Sequence, residues 1–285
     1  MNGIIIVDKP DGWTSHDVVA KLRGACHEKR IGHSGTLDPM ATGVLAVFVG
    51  RATRAVEFAE SDEKEYIAGL KLGLTTDTQD TTGSALSHRP VNSDRQAVER
   101  ALAAFRGVRE QIPPMYSAIK INGQKLYELA RRGKEVERKP RRIEISKLEI
   151  IQGGGEDYVL DVVCSKGTYI RTLCNDIGQA LGCGGCMSSL RRVRAGAFGV
   201  ETAHALSEIV SAPEKFLLPV DALFAGYRQI TAGDTEEKKI RNGAAFHTAV
   251  PAGDYRVYSE SGEFLALCRV ENGAASTIKS FFEVN

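Results

Sequence analysis

Six consecutive apolar residues, Val44 to Val49, follow a segment at residues 30–42 that is rich in Gly, Ser, Thr and Pro. A continuous run this short predicts a buried strand, and the segment before it predicts a loop. Similar runs and helical spacings predict the other elements. The further predicted strands are 4–7, 66–72, 115–121, 143–151 and 158–164. Five helices are predicted. The first starts at a Thr14-Ser15 cap, the second covers 52–59, and the third runs from a Ser93 cap to its end at Gly107. The last two cover 126–132 and 168–181.

The character of the sequence changes after Pro219. Residues 228–282 carry short β-type runs separated by Gly and Asp, whereas the earlier part mixes helices with strands. We therefore predict an α+β chain with two units, a body of residues 1–225 and a small β-rich module of residues 226–285. Within the body, residues 75–92 are polar and turn-rich, which predicts a surface loop.

Composition excludes several classes of protein. The chain has 285 residues with 42% hydrophobic and 26% charged residues, which argues against disordered and fibrous chains. No apolar run approaches the ~18 residues of a membrane helix, and the first residues lack the basic start of a signal peptide. We therefore expect a cytoplasmic protein with no membrane contact. The six scattered cysteines predict free thiols, and the Cys183-Gly-Gly-Cys186 pair lacks two further ligands for zinc, so no metal is expected.

Basic residues are concentrated in two segments although the formal net charge is only +1. Residues 109–142 contain ten basic and four acidic residues, and residues 165–195 contain five basic residues and one acidic residue. Such segments can bind a polyanion such as RNA. They can equally form an ordinary solvated surface in which the basic groups pair with nearby carboxylates, and charge alone leaves both readings open.

The common cofactor and hydrolase motifs are absent from the sequence. No G-x-G-x-x-G follows a strand, and there is no Walker motif, HExxH or G-x-S-x-G. Nucleotide-dependent enzymes, zincins and α/β-hydrolases are therefore disfavoured, and no common cofactor is expected.

Two segments place reactive side chains at the ends of predicted elements. In Gly32 to Leu45, Pro39 restrains Asp38, and small neighbours leave its carboxylate open to a bulky ligand. An aspartate that only caps a turn is the alternative. In Cys164 to Leu173, Tyr169 and Arg171 lie at a strand-to-helix junction, where a helix N-terminus favours anions. The alternative there is a tyrosine half in the core and an arginine on the surface.

Taken together, several strings resemble the TruB family of tRNA pseudouridine-55 synthases. In chain order they are GHSGTLDPMATGVL, KEY at 64–66, PPMYSAIKINGQKLYELARRG, CSKGTYIRTL and SSLRR at 188–192. The resemblance covers residues 3 to 220. The tail from residue 226 resembles the small PUA-like RNA-binding module that often follows this catalytic domain.

The resemblance implies a mixed, largely antiparallel central sheet with flanking helices. It also implies an enzyme that converts the T-loop uridine at tRNA position 55 to pseudouridine without a cofactor or metal. Asp38 matches the catalytic aspartate, Arg171 its paired arginine, and Tyr66 the tyrosine that stacks on the target base. The sequence leaves open whether Asp38 attacks the base, attacks the sugar or acts as a base.

The resemblance also implies the groups that hold the RNA. Tyr169 and an apolar wall at Leu190 match positions that contact a uridine turned out of its stack, and His33 matches a histidine that holds the opened loop. The basic run within 109–142 is expected to clamp the T-arm backbone, helped by Arg191 to Arg194. The clamp candidates are Lys120, Arg131, Arg132, Arg141 and Arg142. The expected partner is tRNA, bound by a monomer that needs no other protein.

Two alternatives come from different classes of function. One is a non-catalytic protein that binds or folds RNA on the same scaffold, and the complete set of Asp38, Tyr66, Tyr169 and Arg171 argues against it. The other is a sister enzyme guided by separate RNA and proteins. That class usually carries a larger C-terminal module than the ~60 residues present here, given typical domain sizes.

Overall fold

The computed structural model describes residues 1–60, 63–121 and 123–282. It contains helices and strands in alternation, followed by a strand-rich C-terminal part. The helices are α1 (Ser15–Ala25), α2 (Val56–Glu60), α3 (Arg95–Ala104), α4 (Leu126–Ala130), α5 (Ile170–Ala180), α6 (Leu206–Ser211) and α7 (Asp234–Arg241). The strands are β1 (Gly3–Lys9), β2 (Ile31–Ser34), β3 (Thr42–Val49), β4 (Lys64–Leu72), β5 (Leu74–Thr76), β6 (Ala85–His88), β7 (Gly107–Gln111), β8 (Lys120–Ile121), β9 (Gln124–Lys125), β10 (Arg141–Gly154), β11 (Asp157–Cys164), β12 (Gly185–Ala195), β13 (Phe198–Gly199), β14 (His204–Ala205), β15 (Arg228–Ala232), β16 (Phe246–His247), β17 (Gly253–Ser259), β18 (Phe264–Glu271) and β19 (Ala274–Ser280).

A mixed central sheet organises the body. Its strand order is β14-β1-β3-β12-β4-β11-β10-β7, with β2 beside β3 and β13 beside β12. The β1–β14 and β3–β12 pairs are parallel, whereas the other pairs in this sheet are antiparallel. The prediction of an α+β fold with a mixed, largely antiparallel sheet is confirmed. In the described part of the chain, no helix is long and apolar enough to cross a membrane.

Each face of the central sheet has its own apolar core, because successive residues of a strand point to opposite faces. Ile5 and Val7 of β1 pack with α1 and α5 on one face, and Ile4 and Ile6 pack on the other. The second face also receives Leu267 and other apolar residues of the C-terminal part. The fold thereby leaves the α1 and α5 side of the sheet as the place where the Asp38 and Arg171 segments meet.

A second sheet forms the C-terminal part, in the order β15-β17-β18-β19-β16, and it confirms the predicted β-rich module. It has its own apolar core. Polar contacts join it to the body: the Tyr258 hydroxyl donates to Asp221 (2.6 Å), and the Lys279 ammonium pairs with Glu57 (2.6 Å).

Three predicted segments differ from the structure. Residues 115–121 form a strand only at Lys120–Ile121, because the chain turns after Pro113-Pro114 and the Tyr116 carbonyl bonds to Arg171 instead of to a strand. The predicted loop at 30–42 begins as strand β2, which pairs with the end of β3. The predicted surface loop at 75–92 contains the β5–β6 hairpin. In the last two segments the composition favours turns, but pairing with a neighbouring strand makes part of each segment extended.

One glycine allows β3 and β12 to approach each other. Gly43 has φ +99°, and a Cβ placed there would lie 2.1 Å from the Arg192 carbonyl oxygen. A side chain would therefore force β3 away from β12 directly beside the Asp38 segment. Gly12 has a similarly positive φ of +76° but has nothing within 4 Å of its Cβ position, which makes it a matched control.

Gly43→Ala is expected to destabilise the protein by about 3 kcal/mol or more, because strain and backbone overlap add together. Gly12→Ala is expected to cost only about 1–2 kcal/mol, the penalty for a left-handed alanine. Denaturant unfolding of both variants measures the difference. Equal losses of stability would show that the β3–β12 contact is looser than described.

Candidate active site

Hydrogen bonds fix the loop that carries Asp38, residues 35–41 between β2 and β3, which we call the Asp38 loop. Leu37 is anchored by the buried hydroxyl of Ser15 at the start of α1. This hydroxyl accepts the Leu37 N–H (2.9 Å) and donates to the Leu37 carbonyl (3.3 Å). The residue next to Asp38 is thereby held on both of its backbone groups, so the direction of the carboxylate is set by the backbone.

A buried lysine holds the backbone of the residue that follows Asp38. The Lys9 ammonium at the end of β1 donates to the carbonyls of Pro39 (3.1 Å), Pro10 (2.9 Å) and Trp13 (2.5 Å). Burial lowers the pKa of Lys9. With three carbonyl acceptors, its hydrogen-bonding capacity is filled, so Lys9 has a structural role in shaping the loop.

Arg171 binds the Asp38 carboxylate through two nitrogens. Its Nε lies 2.9 Å from Asp38 Oδ2, and its Nη2 lies 3.1 Å from Oδ1. The same guanidinium donates to the carbonyls of Thr78 (3.2 Å) and Tyr116 (2.8 Å). The Arg171 side chain is 6% exposed and that of Asp38 is 34% exposed. The arginine is therefore the buried partner, and the carboxylate is the member that faces outward.

A second carboxylate, which the sequence analysis missed, stands behind this pair. Asp80 is buried, and its Oδ2 lies 3.9 Å from the Arg171 Nε. Its Oδ1 accepts hydrogen bonds from the hydroxyls of Thr78 (2.8 Å) and Thr82 (2.5 Å) and from the Thr82 N–H (3.0 Å). Asp80 thus places a second negative charge near the Arg171 guanidinium. Residues 75–92 read as a surface loop, so only the tertiary structure shows this carboxylate to be buried.

Two tyrosines lie near the carboxylate. Tyr66 on β4 is buried, and burial raises the pKa of its phenol. Burial also raises the pKa of Tyr169, and the negative charge of Asp38 acts in the same direction on both phenols. Tyr169 precedes α5, where the Gln111 amide accepts its N–H (2.8 Å) and donates to its carbonyl (3.0 Å). The backbone of each tyrosine is therefore held in place, Tyr66 within β4 and Tyr169 by Gln111. The charge of Asp38 affects the pKa of both phenols.

Leu190 joins this group across the sheet. It pairs in register with Ala68 on β4, two residues from Tyr66, so both side chains lie on the same face of the sheet. Leu190 is almost fully buried. The structure thus gathers Asp38, Arg171, Tyr66 and Tyr169, and it places Leu190 on the sheet face that carries Tyr66.

His33 lies on β2, ahead of the Asp38 loop, with its ring edge-on to His16 at 5.6 Å between ring centroids. Burial lowers the pKa of His33 to about 4, and the positive charges of His16 and Arg192 add to this effect. Its Nδ1 is buried and has no hydrogen-bond partner among the described residues. At neutral pH the imidazole is therefore uncharged, which fits a role in shape and hydrogen bonding.

The five predicted clamp residues are exposed, three of them in the segment between β7 and β10 and two at the start of β10 itself. Within the described residues, none of the five has a carboxylate at ion-pair distance: Lys120, Arg131, Arg132, Arg141 and Arg142. The alternative of a solvated surface would pair Arg131 and Arg132 with nearby carboxylates such as Glu128 and Glu135. Neither arginine pairs with them, and Glu135 pairs with Arg138 instead (3.0 Å). Asn122, inside this segment, lies outside the described residues.

The second basic segment differs from its prediction. Arg191 is paired with Asp8 (2.8 Å), Arg194 is paired with Glu65 (3.2 Å), and Arg192 is 1% exposed. The expectation that Arg191 to Arg194 join the clamp is wrong for Arg192, because its side chain cannot reach a phosphate. The other two arginines are already neutralised by partners on neighbouring strands.

Comparisons with known proteins agree with this geometry. Residues 23–170 match the N-terminal domain of the TruB family pseudouridylate synthases, and residues 171–225 match the tRNA pseudouridylate synthase B C-terminal domain. The fold and the site therefore define a pseudouridylate synthase. More narrowly, the chain belongs to the TruB family.

Relatives resemble the chain over nearly its whole length. A protein of Syntrophomonas wolfei named tRNA pseudouridine synthase B is 44% identical, covering 98% of this chain and 96% of its own. The protein of that name from Clostridium kluyveri is 42% identical, covering 94% and 95%. Among solved structures, a Cbf5-Nop10-Gar1 complex contains a chain with TM-score 0.74 and 27% identity, covering 98% of this chain and 85% of that one.

The low pKa of His33 predicts a pH-dependent stability. An unfolded histidine titrates near 6.5, so between about pH 6.5 and pH 4 the unfolded chain binds a proton that the folded chain does not. The contribution to the free energy of unfolding is present above this window and is lost as the pH falls through it. When the pH falls from near 7 to near 4.5, the free energy of unfolding of the parent should decrease by about 2 kcal/mol more than that of His33→Gln.

Denaturant unfolding at the two pH values tests this expectation. His88→Gln, at an exposed histidine on β6, serves as the control and should behave as the parent does. If His33→Gln and the parent lose the same free energy, His33 is not held neutral by burial.

Proposed function

We propose that this chain converts the T-loop uridine at position 55 of tRNA to pseudouridine. Membership in the TruB family and relatives named tRNA pseudouridine synthase B support a tRNA pseudouridine synthase. In this isomerisation the N1–C1′ bond breaks, the uracil turns, and C5 bonds to C1′. The proton lost from C5 is balanced by one gained at N1. Atoms and electrons balance within the substrate, so the proposal requires no redox cofactor or co-substrate.

The observation that carries the proposal is the Asp38 carboxylate, held by a buried guanidinium and open on its other side. Two nitrogens of the Arg171 guanidinium fix the orientation of the carboxylate. An ionised carboxylate can attack the substrate or remove a proton, and both routes use the same oriented group. Asp38 is thus the proposed catalytic residue, and Arg171 the residue that orients it.

Access to the uridine requires the base to leave its stack in the T-loop. Extrusion costs a few kcal/mol, which aromatic and apolar contacts in a pocket repay in part. Tyr66 and Tyr169 supply ring faces, and Leu190 supplies an apolar wall on the same side of the sheet. A neutral His33 would contact the opened loop without attracting phosphate by charge.

The tRNA arm is proposed to lie against the unpaired cations of the segment at residues 109–142. The Arg171 guanidinium binds the Tyr116 carbonyl, and Gln111 binds the backbone of Tyr169, so this segment is joined directly to the site. The body of residues 1–225 is proposed as the catalytic domain, and residues 226–285 as a PUA-like module that adds RNA contacts. A monomer in the cytoplasm with tRNA as its partner completes the proposal.

A non-catalytic RNA-binding protein on the same scaffold is the competing function. Such a protein has no need of a buried guanidinium held against an outward-facing carboxylate, because burying the guanidinium costs several kcal/mol before pairing. The Asp38–Arg171 pair therefore favours catalysis.

Asp38→Asn should abolish turnover and preserve binding. The amide keeps the size of the side chain but cannot act as a nucleophile or base, so the rate should fall more than about 1000-fold. The affinity for tRNA should stay within about threefold, because backbone contacts supply most of it. Release of tritium from tRNA labelled at uridine C5 measures turnover, and filter binding measures affinity.

Asp157→Asn is the matched control, since this aspartate is exposed on the β10–β11 hairpin and, among the described residues, forms an ion pair only with Lys71 at the surface. Its turnover should equal that of the parent. An Asp38→Asn rate within tenfold of the parent would contradict the catalytic role of Asp38 and favour the RNA-binding alternative.

Salt dependence tests the proposed clamp. Each phosphate neutralised by a cation contributes roughly 0.7–0.9 to the slope of log affinity against log salt. The double variant Arg131→Ala with Arg132→Ala should therefore reduce the slope by about 1–2, for cognate and non-cognate RNA alike. Arg95→Ala with Arg100→Ala on helix α3 is the control and should leave the slope unchanged. An unchanged slope for the first variant would show that the RNA path lies elsewhere.

A further inference from the structure

Arg192 is the largest side chain that the structure buries completely. Among the described residues, no carboxylate lies within ion-pair distance of its guanidinium. Removing a cation from water without such a partner costs several kcal/mol, so hydrogen bonds must hold the guanidinium there. A neutral side chain of similar size would fill the same space without this cost. The position of the charge therefore points to a role beyond packing.

The guanidinium binds both ends of the segment that carries Asp38. Its Nη2 donates to the Gly35 carbonyl (3.0 Å), three residues before Asp38, and its Nε donates to the Val44 carbonyl (2.7 Å), six residues after it. Gly35 has φ +70°, and a Cβ there would lie 3.2 Å from the Arg192 Nη1. The planar guanidinium thus fixes the backbone at Gly35 and at Val44, on either side of Asp38.

The same side chain also reaches Tyr66. Arg192 on β12 lies directly opposite Tyr66 on β4 in the sheet register, so both side chains leave the sheet on the same face. Burial raises the pKa of the Tyr66 phenol, and the positive charge of the Arg192 guanidinium acts in the opposite direction. The proposed base-stacking ring and the proposed catalytic loop therefore share one anchor.

From this juxtaposition we infer that Arg192 is a positioning residue that sets the placement of the Tyr66 ring relative to the Asp38 carboxylate. The inference rests on the proposed function. Only arginine has donors spread over a rigid plane, so one head group binds carbonyls in two directions and still faces a phenol. A lysine keeps the charge but concentrates its donors on one atom, which cannot occupy both positions.

Arg192→Lys is the first test. A misplacement of about 1 Å in an active site can cost on the order of 100-fold in rate, so kcat should fall by about that factor. The dissociation constant for tRNA should change less than about threefold, because the side chain is buried away from phosphates. Arg106→Lys is the matched control, at an arginine outside the site whose guanidinium also binds a backbone carbonyl, that of Leu148 (2.8 and 3.1 Å). Its kcat should equal that of the parent.

The assays are run below the thermal midpoint of each variant, so that loss of folded protein does not enter kcat. A purely structural role for Arg192 would lower the midpoint and leave kcat per folded molecule unchanged, and that result would overturn the inference. A kcat within threefold of the parent would overturn it as well. If the parent itself forms no pseudouridine, the proposed function fails instead, and the two failures are distinguishable.

Tyr66→Phe gives an independent test if Arg192→Lys does not fold. It removes the hydroxyl that faces Arg192 and keeps the ring, so kcat should fall by about tenfold with unchanged affinity for tRNA. Where both variants fold, the fold-loss of kcat in the double variant should be smaller than the product of the two single fold-losses. The reason is that both substitutions disturb the same placement of the Tyr66 ring relative to Asp38. A Tyr66→Phe kcat equal to that of the parent, or fully multiplicative losses, would contradict the link between Arg192 and Tyr66.

Discussion

The site depends on the ion pair between Asp38 and Arg171. Arg171 projects from the first turn of a helix, and Asp38 projects from a loop between two strands, so the pair joins segments that are more than a hundred residues apart in the chain. Because the guanidinium is buried and the carboxylate is half open, the pair orients a reactive oxygen towards the outside. Fixed acceptors around Arg171, including the Thr78 and Tyr116 carbonyls, keep the guanidinium from following a substrate. This preorganisation lowers the cost of aligning groups during the reaction.

The arginines of this chain are divided between two environments. Arg171 and Arg192 are buried and bind backbone carbonyls, and Arg171 also binds a carboxylate, so both shape the site. Arg131 and Arg132 are exposed and have no carboxylate partner in the described part of the chain, so their charges can meet phosphates. The same residue type thus provides both geometry and affinity. Exposure to solvent distinguishes the arginines that shape the site from those that bind RNA, and the local sequence does not reveal which arginines are exposed.

The sequence allowed the architecture and the central members of the site to be predicted, because short motifs carried them. The Asp38 and Arg171 segments could be recognised from their residues, and the structure brings the two side chains together. Asp80 and Arg192 could not be found in this way. Asp80 lies in a turn whose composition is typical of a surface loop, and Arg192 lies in a basic run that resembles an RNA-binding surface. Both are buried only through contacts with distant strands, which local patterns do not encode.

The most direct measurement is pseudouridine mapping on an unmodified tRNA transcript incubated with the purified protein. We expect a single new pseudouridine, at position 55, formed without added nucleotide or reductant. A transcript that remains unmodified, or one that is modified only at other positions, would contradict the proposed function.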